Sequence, residues 1–149
     1  MELGKTSILG LLEDVDFFKG FLDVEIEDLM EAAEWSRAAT GERIITEGEL
    51  DLYMYVLVQG SVKVVFNDKV VAVLQTGDTF GEFGLMGGRR TAHVVASSDC
   101  LLVRFNAEHL NLLPLPLQIK LLKKILFTLF ARLQKVNRRV WWEMPTQWR

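Results

Sequence analysis

The sequence predicts an α+β protein that is mainly β. It would be an antiparallel jelly roll or small barrel, held between N-terminal helices and a long C-terminal helix. Three observations carry this. Between Trp35 and Phe105 the apolar runs are short, β-branched and alternating, with turn residues roughly every eight to twelve positions. On either side of that stretch, apolar residues recur at spacings of three and four, the period of a helix. The chain has 149 residues, half apolar and a quarter charged, enough for a single domain over 1–149 with its own core.

The elements follow in order. Over 8–34, Leu11, Leu12, Val15, Phe18, Leu22, Ile26, Leu29 and Met30 keep the helical spacing. Gly20 divides the run, leaving Glu25–Glu34 as a second helix. The β region spans 35–106, with strands expected at Arg43–Thr46, Tyr53–Gln59, Ser61–Phe66, Lys69–Leu74, His93–Ala96 and Cys100–Phe105. Asn67-Asp68 separates two of these runs and suits a tight hairpin. Gly48, Gly60 and Gly77 read as turn glycines, and Tyr53 and Tyr55 as packing residues on alternate strand positions. Helices return over 107–140. Asn106 caps a short one running to Leu113, and Pro114 and Pro116 stop it and start a longer one. Leu115, Ile119, Leu122, Leu126, Leu129, Leu133, Val136 and Val140 step by alternating four and three along that helix, the 3.5 period of a two-stranded coiled-coil seam. A second stripe of Leu121, Ile125 and Phe130 faces another partner, the β-roll. The seam predicts a parallel homodimer, or else cover from elsewhere in the chain or from another domain.

Composition narrows the function. No apolar run reaches the ~18–20 residues of a membrane span, and the N-terminus lacks the pattern of a signal peptide. The lone Cys100 forms no internal disulfide and reads as a small buried apolar group. Two histidines and one cysteine make no zinc or iron–sulfur ligand set. A reducing cytoplasm fits these features. The net charge of −3 conceals a split, with residues 1–113 at −10 and the rest at +7. A basic half of this kind meets an acidic partner, a nucleic acid or a membrane surface, or is simply a solvated helix face. The aromatic tail over 141–149 holds Trp141, Trp142 and Trp148. Such a terminus packs on its own chain, fills a dimer groove, or meets a protein partner or membrane. No Ser, His and carboxylate set or paired acid and base stands out, so no catalysis is expected.

The densest chemistry lies in Phe80-Gly81-Glu82-Phe83-Gly84-Leu85, followed by Arg89-Arg90-Thr91-Ala92. Gly81 and Gly84 let the backbone approach a ligand closely. A short helix starting there aims N–H groups at an anion. Arg90 can fork two donors onto phosphate oxygens, and Glu82 can accept from sugar hydroxyls. Phosphate and ribose together mean a nucleotide.

Gly-Glu-x-Gly-Leu followed by Arg-Thr-Ala resembles the phosphate-binding cassette of cyclic nucleotide-binding domains, which occur in the catabolite activator protein family, in cyclic-nucleotide-dependent kinases and in gated channels. Gly41-Glu42-Arg43-Ile44-Ile45, Gly48, Asp51-Leu52-Tyr53, Gly60-Ser61-Val62, Leu74-Gln75-Thr76-Gly77-Asp78-Thr79-Phe80 and Ala96-Ser97-Ser98-Asp99-Cys100 extend the likeness over Phe17 to Val140. The resemblance implies a β-roll that binds cyclic AMP or cyclic GMP and needs no cofactor. It implies that Arg90 neutralises the phosphate, with backbone N–H groups near Thr91, Ala92 and Gly84, and that Glu82 holds the 2′-hydroxyl. Without ligand, Glu82 and Arg90 would pair. Val136 and Asn137 on the long helix fall where relatives contact the base. Thr91 leaves adenine and guanine both open. The loop from Phe83 to Arg89 is shorter than in relatives. Gly87-Gly88 lets it close, or the pocket has been reshaped and has lost its ligand, and Arg89 substitutes if Arg90 is out of register. The twelve residues after Asn137 are too few for a DNA-reading domain. The expectation is a dimeric cyclic nucleotide sensor that signals through its C-terminal helix. The rival is an interaction scaffold on the same fold without nucleotide binding. A metal-dependent jelly-roll enzyme is a distant third.

Overall fold

The computed structural model describes residues 5–143 and 147, with side chains described over 8–136 and at 147. The chain divides at Pro114 into two compact units, where the sequence places the break between its short and long helices.

The first unit opens with helix α1 (Lys5–Leu12), a one-turn 3-10 helix (Asp16–Phe18) and helix α2 (Asp23–Glu31). Glu25 fastens the start of α2 by accepting from the Leu22 N–H at 2.8 Å. Eight strands follow: β1 (Ala33–Ala38), β2 (Arg43–Ile45), β3 (Tyr53–Gln59), β4 (Ser61–Phe66), β5 (Lys69–Gln75), β6 (Thr79–Phe80), β7 (His93–Ala96) and β8 (Cys100–Asn106). They form two four-stranded antiparallel sheets, ordered β1-β8-β3-β6 and β2-β7-β4-β5. The strands expected at Tyr53, Ser61 and His93 appear with the expected bounds. Asn67 and Asp68 both take positive φ, 50° and 61°, in the hairpin between β4 and β5.

Period-2 alternation on β3 and β8 makes two cores. Tyr55, Leu57, Phe80, Cys100 and Leu102 turn inward, where Val62, Val94 and Ala96 of the second sheet meet them inside the roll. Met54, Val56, Val103 and Phe105 are fully buried on the opposite face, and there the Phe18 ring meets Phe105 at 6.5 Å. The N-terminal helices thus cover the outside of one sheet and leave the roll interior to the second. Cys100 is buried as expected, and burial pushes its thiol pKa up. Asp99 clamps the far end of the roll by accepting from the Thr40 N–H at 2.9 Å and hydroxyl at 3.0 Å, bonds that hold its pKa below the ordinary carboxylate value.

Several boundaries differ from expectation; β2, β5 and β8 each shift by one residue at the end, and the larger differences have physical reasons. The N-terminal helical stretch ends at Glu31 instead of Glu34, because Ala33–Ala38 is recruited as a strand by β8. That segment, Ala-Glu-Trp-Ser-Arg-Ala, has no β-branched residue and no clean alternation of burial. Strand β6 is two residues long, too short for any period to register. After β8, Asn106 caps the short helix α3 by accepting from the Glu108 N–H at 2.8 Å, but α3 spans only Ala107–Leu110.

The second unit is a single helix, α4 (Leu115–Glu143), which continues through Trp141 and Trp142 instead of ending at 140. Leu117, Leu121 and Ile125, four apart, are buried. Phe130, expected on their stripe, is exposed, because it stands nine residues from Leu121, about half a turn around the helix. Leu115, Ile119, Leu122, Leu126, Leu129, Leu133 and Val136 of the heptad seam are all exposed in the single chain. The Thr128 hydroxyl donates back to the Lys124 carbonyl at 2.9 Å. The side chains of Asn137, Val140, Trp141, Trp142 and Trp148 lie outside the described residues. No helix among the described residues is long and apolar enough to cross a membrane.

Candidate functional site: a buried arginine in a glycine-lined loop

The cassette leaves β6 through Gly81, which takes φ 75° and sends the chain into a 3-10 turn over Glu82–Met86. Gly87 at φ 72° ends that turn, and the Gly88 N–H returns to the Phe83 carbonyl at 3.2 Å. The Phe83 ring lies close to Gly88, where a Cβ would sit 2.7 Å from ring carbon Cε1. The double glycine therefore closes the short loop. The segment Gly48–Leu50 straps the returning arm in place. Leu50 bridges Arg89, the Arg90 N–H donates to the Glu49 carbonyl at 2.9 Å, and the Gly48 N–H donates to the Arg90 carbonyl at 2.8 Å.

The two arginines separate sharply. Arg89 is exposed, and its Nη1 donates to the Gly48 carbonyl at 3.1 Å. Arg90 is only 5% exposed. Its Nη1 donates to the Gly81 carbonyl at 2.8 Å, its Nη2 donates to the Tyr53 carbonyl, and Nη2 also pairs with the Asp51 carboxylate at 3.3 Å. Its Nε–H has no acceptor among the described residues. Asp51 in turn accepts from the Tyr53 N–H at 3.0 Å, so the counter-ion is itself held by the start of β3.

Gly84 brings the cassette against the start of β3: a Cβ there would lie 2.7 Å from the Asp51 carbonyl oxygen and 2.9 Å from Arg90 Nη2. Gly81 likewise faces Arg90 Nη1 at 3.1 Å. Both glycines thus make room for the guanidinium and the backbone that receives it. Arg90 pairs with Asp51, and Glu82, half-buried, accepts from the Thr79 hydroxyl at 2.6 Å. Asp51 had no assigned role, because it lies far from Arg90 in sequence and no local spacing joins them.

Around this seat, Phe80 is buried and stacks on Tyr55 with ring centroids 5.1 Å apart and planes 6° from parallel. Leu85 and Ala92 are half-buried and Thr91 is exposed. Val136 lies exposed on α4 in the second unit. One further cation, Arg104 on β8, stands over the Tyr53 ring at 4.3 Å from its centroid and pairs with Glu34 at 2.7 Å. Burial pushes the Tyr55 hydroxyl pKa up and Asp51 adds to this, while Arg104 and Arg90 pull against them. The His93 ring nitrogen Nδ1 accepts from the Glu47 N–H at 3.0 Å, which gives that histidine a structural place.

The site is thus a glycine-lined loop on a β-roll, with a buried guanidinium seated behind it. The chain belongs to the cyclic nucleotide-binding domain family, whose model matches residues 36–113. It is 35% identical over 78 residues to a cGMP-dependent protein kinase of Eimeria tenella, covering 52% of this chain and 8% of that protein. Among solved structures it is similar to the regulatory subunit of a cAMP-independent protein kinase A from Trypanosoma brucei, at 27% identity and a TM-score of 0.69, covering 81% of this chain and 46% of that one. It also shares its fold with a cyclic nucleotide-binding domain from Methylobacillus flagellatus, at 23% identity and a TM-score of 0.78, covering 95% of this chain and 84% of that one. These likenesses support the β-roll expected from the sequence.

Proposed function

We propose that this chain is a cytoplasmic sensor that binds a 3′,5′-cyclic nucleotide, cyclic AMP or cyclic GMP, and does no catalysis itself. The observation that carries this reading is Arg90. It is a guanidinium nine-tenths buried inside the cassette, with its Nε–H lacking an acceptor among the described residues. Leaving a buried charged donor unmatched is costly, and an equatorial oxygen of a cyclic phosphate is an acceptor of the right charge. Phosphate in place of water at this donor gives a charge-assisted bond that gains strength from the low dielectric. Glu82 supplies the acceptor for the ribose 2′-hydroxyl, which selects a cyclic nucleotide over free phosphate.

The exposed heptad seam of α4 supports a parallel homodimer, and the basic face of that helix a protein partner to which occupancy is passed. Binding that differs between two arrangements of the chain would shift their balance. Calorimetric titration of the purified chain with cyclic AMP and cyclic GMP tests the reading, and sedimentation of the same samples reads the oligomeric state. Heat of binding and a rise in melting temperature are expected with at least one of them. No heat and no rise with either at millimolar concentration would leave the interaction scaffold as the surviving reading.

A further inference from the structure

We propose that Arg104 is a positioning residue for Arg90. Clamped by Glu34 and stacked on Tyr53, it fixes the piece of β3 against which the buried guanidinium docks, and thereby sets the affinity for the phosphate. The affinity half of the proposal rests on the cyclic-nucleotide reading above. The positioning half stands on the ligand-free geometry.

Arg104 Nε and Nη2 both donate to Glu34 Oε2, at 3.0 and 2.7 Å, so its planar head has one orientation. That head lies 4.3 Å from the centroid of the Tyr53 ring. Tyr53 is also the residue whose carbonyl accepts from Arg90 Nη2 and whose N–H holds Asp51, the counter-ion of Arg90. A single residue therefore carries Arg104 on its side chain and, on its backbone, one carbonyl acceptor of Arg90 and the N–H that holds the counter-ion Asp51. Strand register explains the juxtaposition. Glu34 on β1 is opposite Arg104 on β8, and Arg104 is opposite Tyr55 on β3, forming one row across three strands.

Stability alone accounts poorly for this arrangement. The Arg104 and Glu34 side chains are 33% and 43% exposed, and ion pairs so open to water add little to folding. A stacked, two-point clamp is instead a way of removing freedom from a neighbour. Sequence reading missed it, because Glu34 was assigned to a helix and Arg104 stood alone in an apolar strand.

The test compares the wild-type chain with Arg104→Gln and Arg104→Lys. Each is titrated with cyclic AMP, cyclic GMP, adenosine and guanosine, the nucleosides having the same base and sugar without the phosphate. Arg104→Gln is expected to weaken the cyclic nucleotide about tenfold and to leave any nucleoside binding within about twofold, since only the phosphate is held by Arg90. Arg104→Lys keeps the cation over the ring but loses the fork, and is expected to fall between. The second readout needs no ligand. The Arg90 Nε–H resonance, assigned by its disappearance in Arg90→Lys, should shift in Arg104→Gln. An unmoved resonance overturns the proposal whatever the titrations give. So does an equal loss for cyclic nucleotide and nucleoside, which would mean general damage to the pocket. A resonance that moves in Arg104→Gln, together with a wild-type chain that binds no cyclic nucleotide, overturns the affinity half and the ligand reading together.

Discussion

Arg90→Ala is expected to remove measurable cyclic nucleotide binding, a loss of at least about 100-fold in Kd. The size follows from where the side chain lies. Arg90 is 5% exposed and spans the Gly81 carbonyl, the Tyr53 carbonyl and the Asp51 carboxylate at once. Removing it deletes the cation a phosphate needs and leaves Asp51, whose side chain is 19% exposed, as a negative charge beside the ligand's own. Repulsion then adds to the lost attraction. The same substitution strands three acceptors, so stability should fall by about 2 kcal/mol. Arg90→Lys should restore little, because one ammonium cannot reproduce a planar fork reaching three partners. Arg89→Ala is the matched control. Arg89 is exposed and its side chain donates to the Gly48 carbonyl, so affinity should stay within about twofold. Titration calorimetry with chemical denaturation reads both effects. Equal affinity in Arg90→Ala and wild type would show that the cassette does not hold the ligand, and a larger loss in Arg89→Ala would mean that the two arginines have been exchanged.

What the sequence made legible was whatever is local. The alternating runs at Tyr53–Gln59, Ser61–Phe66 and His93–Ala96 define strands by themselves, and Asn67-Asp68 defines its hairpin, because short-range sterics decide these. The cassette was readable for the same reason, its glycines and charges falling within about a dozen residues. Strand β1 was not, since Ala-Glu-Trp-Ser-Arg-Ala becomes a strand only when β8 supplies the ladder. The partners of Arg90 were equally hidden. Asp51 and the Tyr53 carbonyl are brought to it where Gly48–Leu50 pairs with Arg89 and Arg90, and a main-chain carbonyl leaves no mark on a sequence. At Gly84 the lack of a side chain makes room for the protein's own guanidinium and main chain.

Gly84→Ala should therefore behave as a defect of folding as much as of binding. Its Cβ would stand 2.7 Å from the Asp51 carbonyl oxygen and 2.9 Å from Arg90 Nη2, and would also collide with the Tyr53 carbonyl. Two of these three neighbours are main chain at the start of β3, which cannot rotate away as a side chain can. Either the cassette lifts off the strand or Arg90 gives up its seat. We expect a loss of stability of about 3 kcal/mol, at the upper end for overpacking a tight contact. Cyclic nucleotide affinity should fall with it, because Arg90 and its carbonyl acceptors are displaced together. Gly87→Ala separates this from the ordinary cost of replacing a loop glycine. Gly87 has φ 72° and nothing within 4 Å of where its Cβ would sit, so the substitution carries only backbone strain, about 1 kcal/mol. Denaturant unfolding of the two variants under one set of conditions gives the comparison directly. If Gly84→Ala proves as mild as Gly87→Ala, the cassette does not press on β3, and the burial of Arg90 must have some other cause.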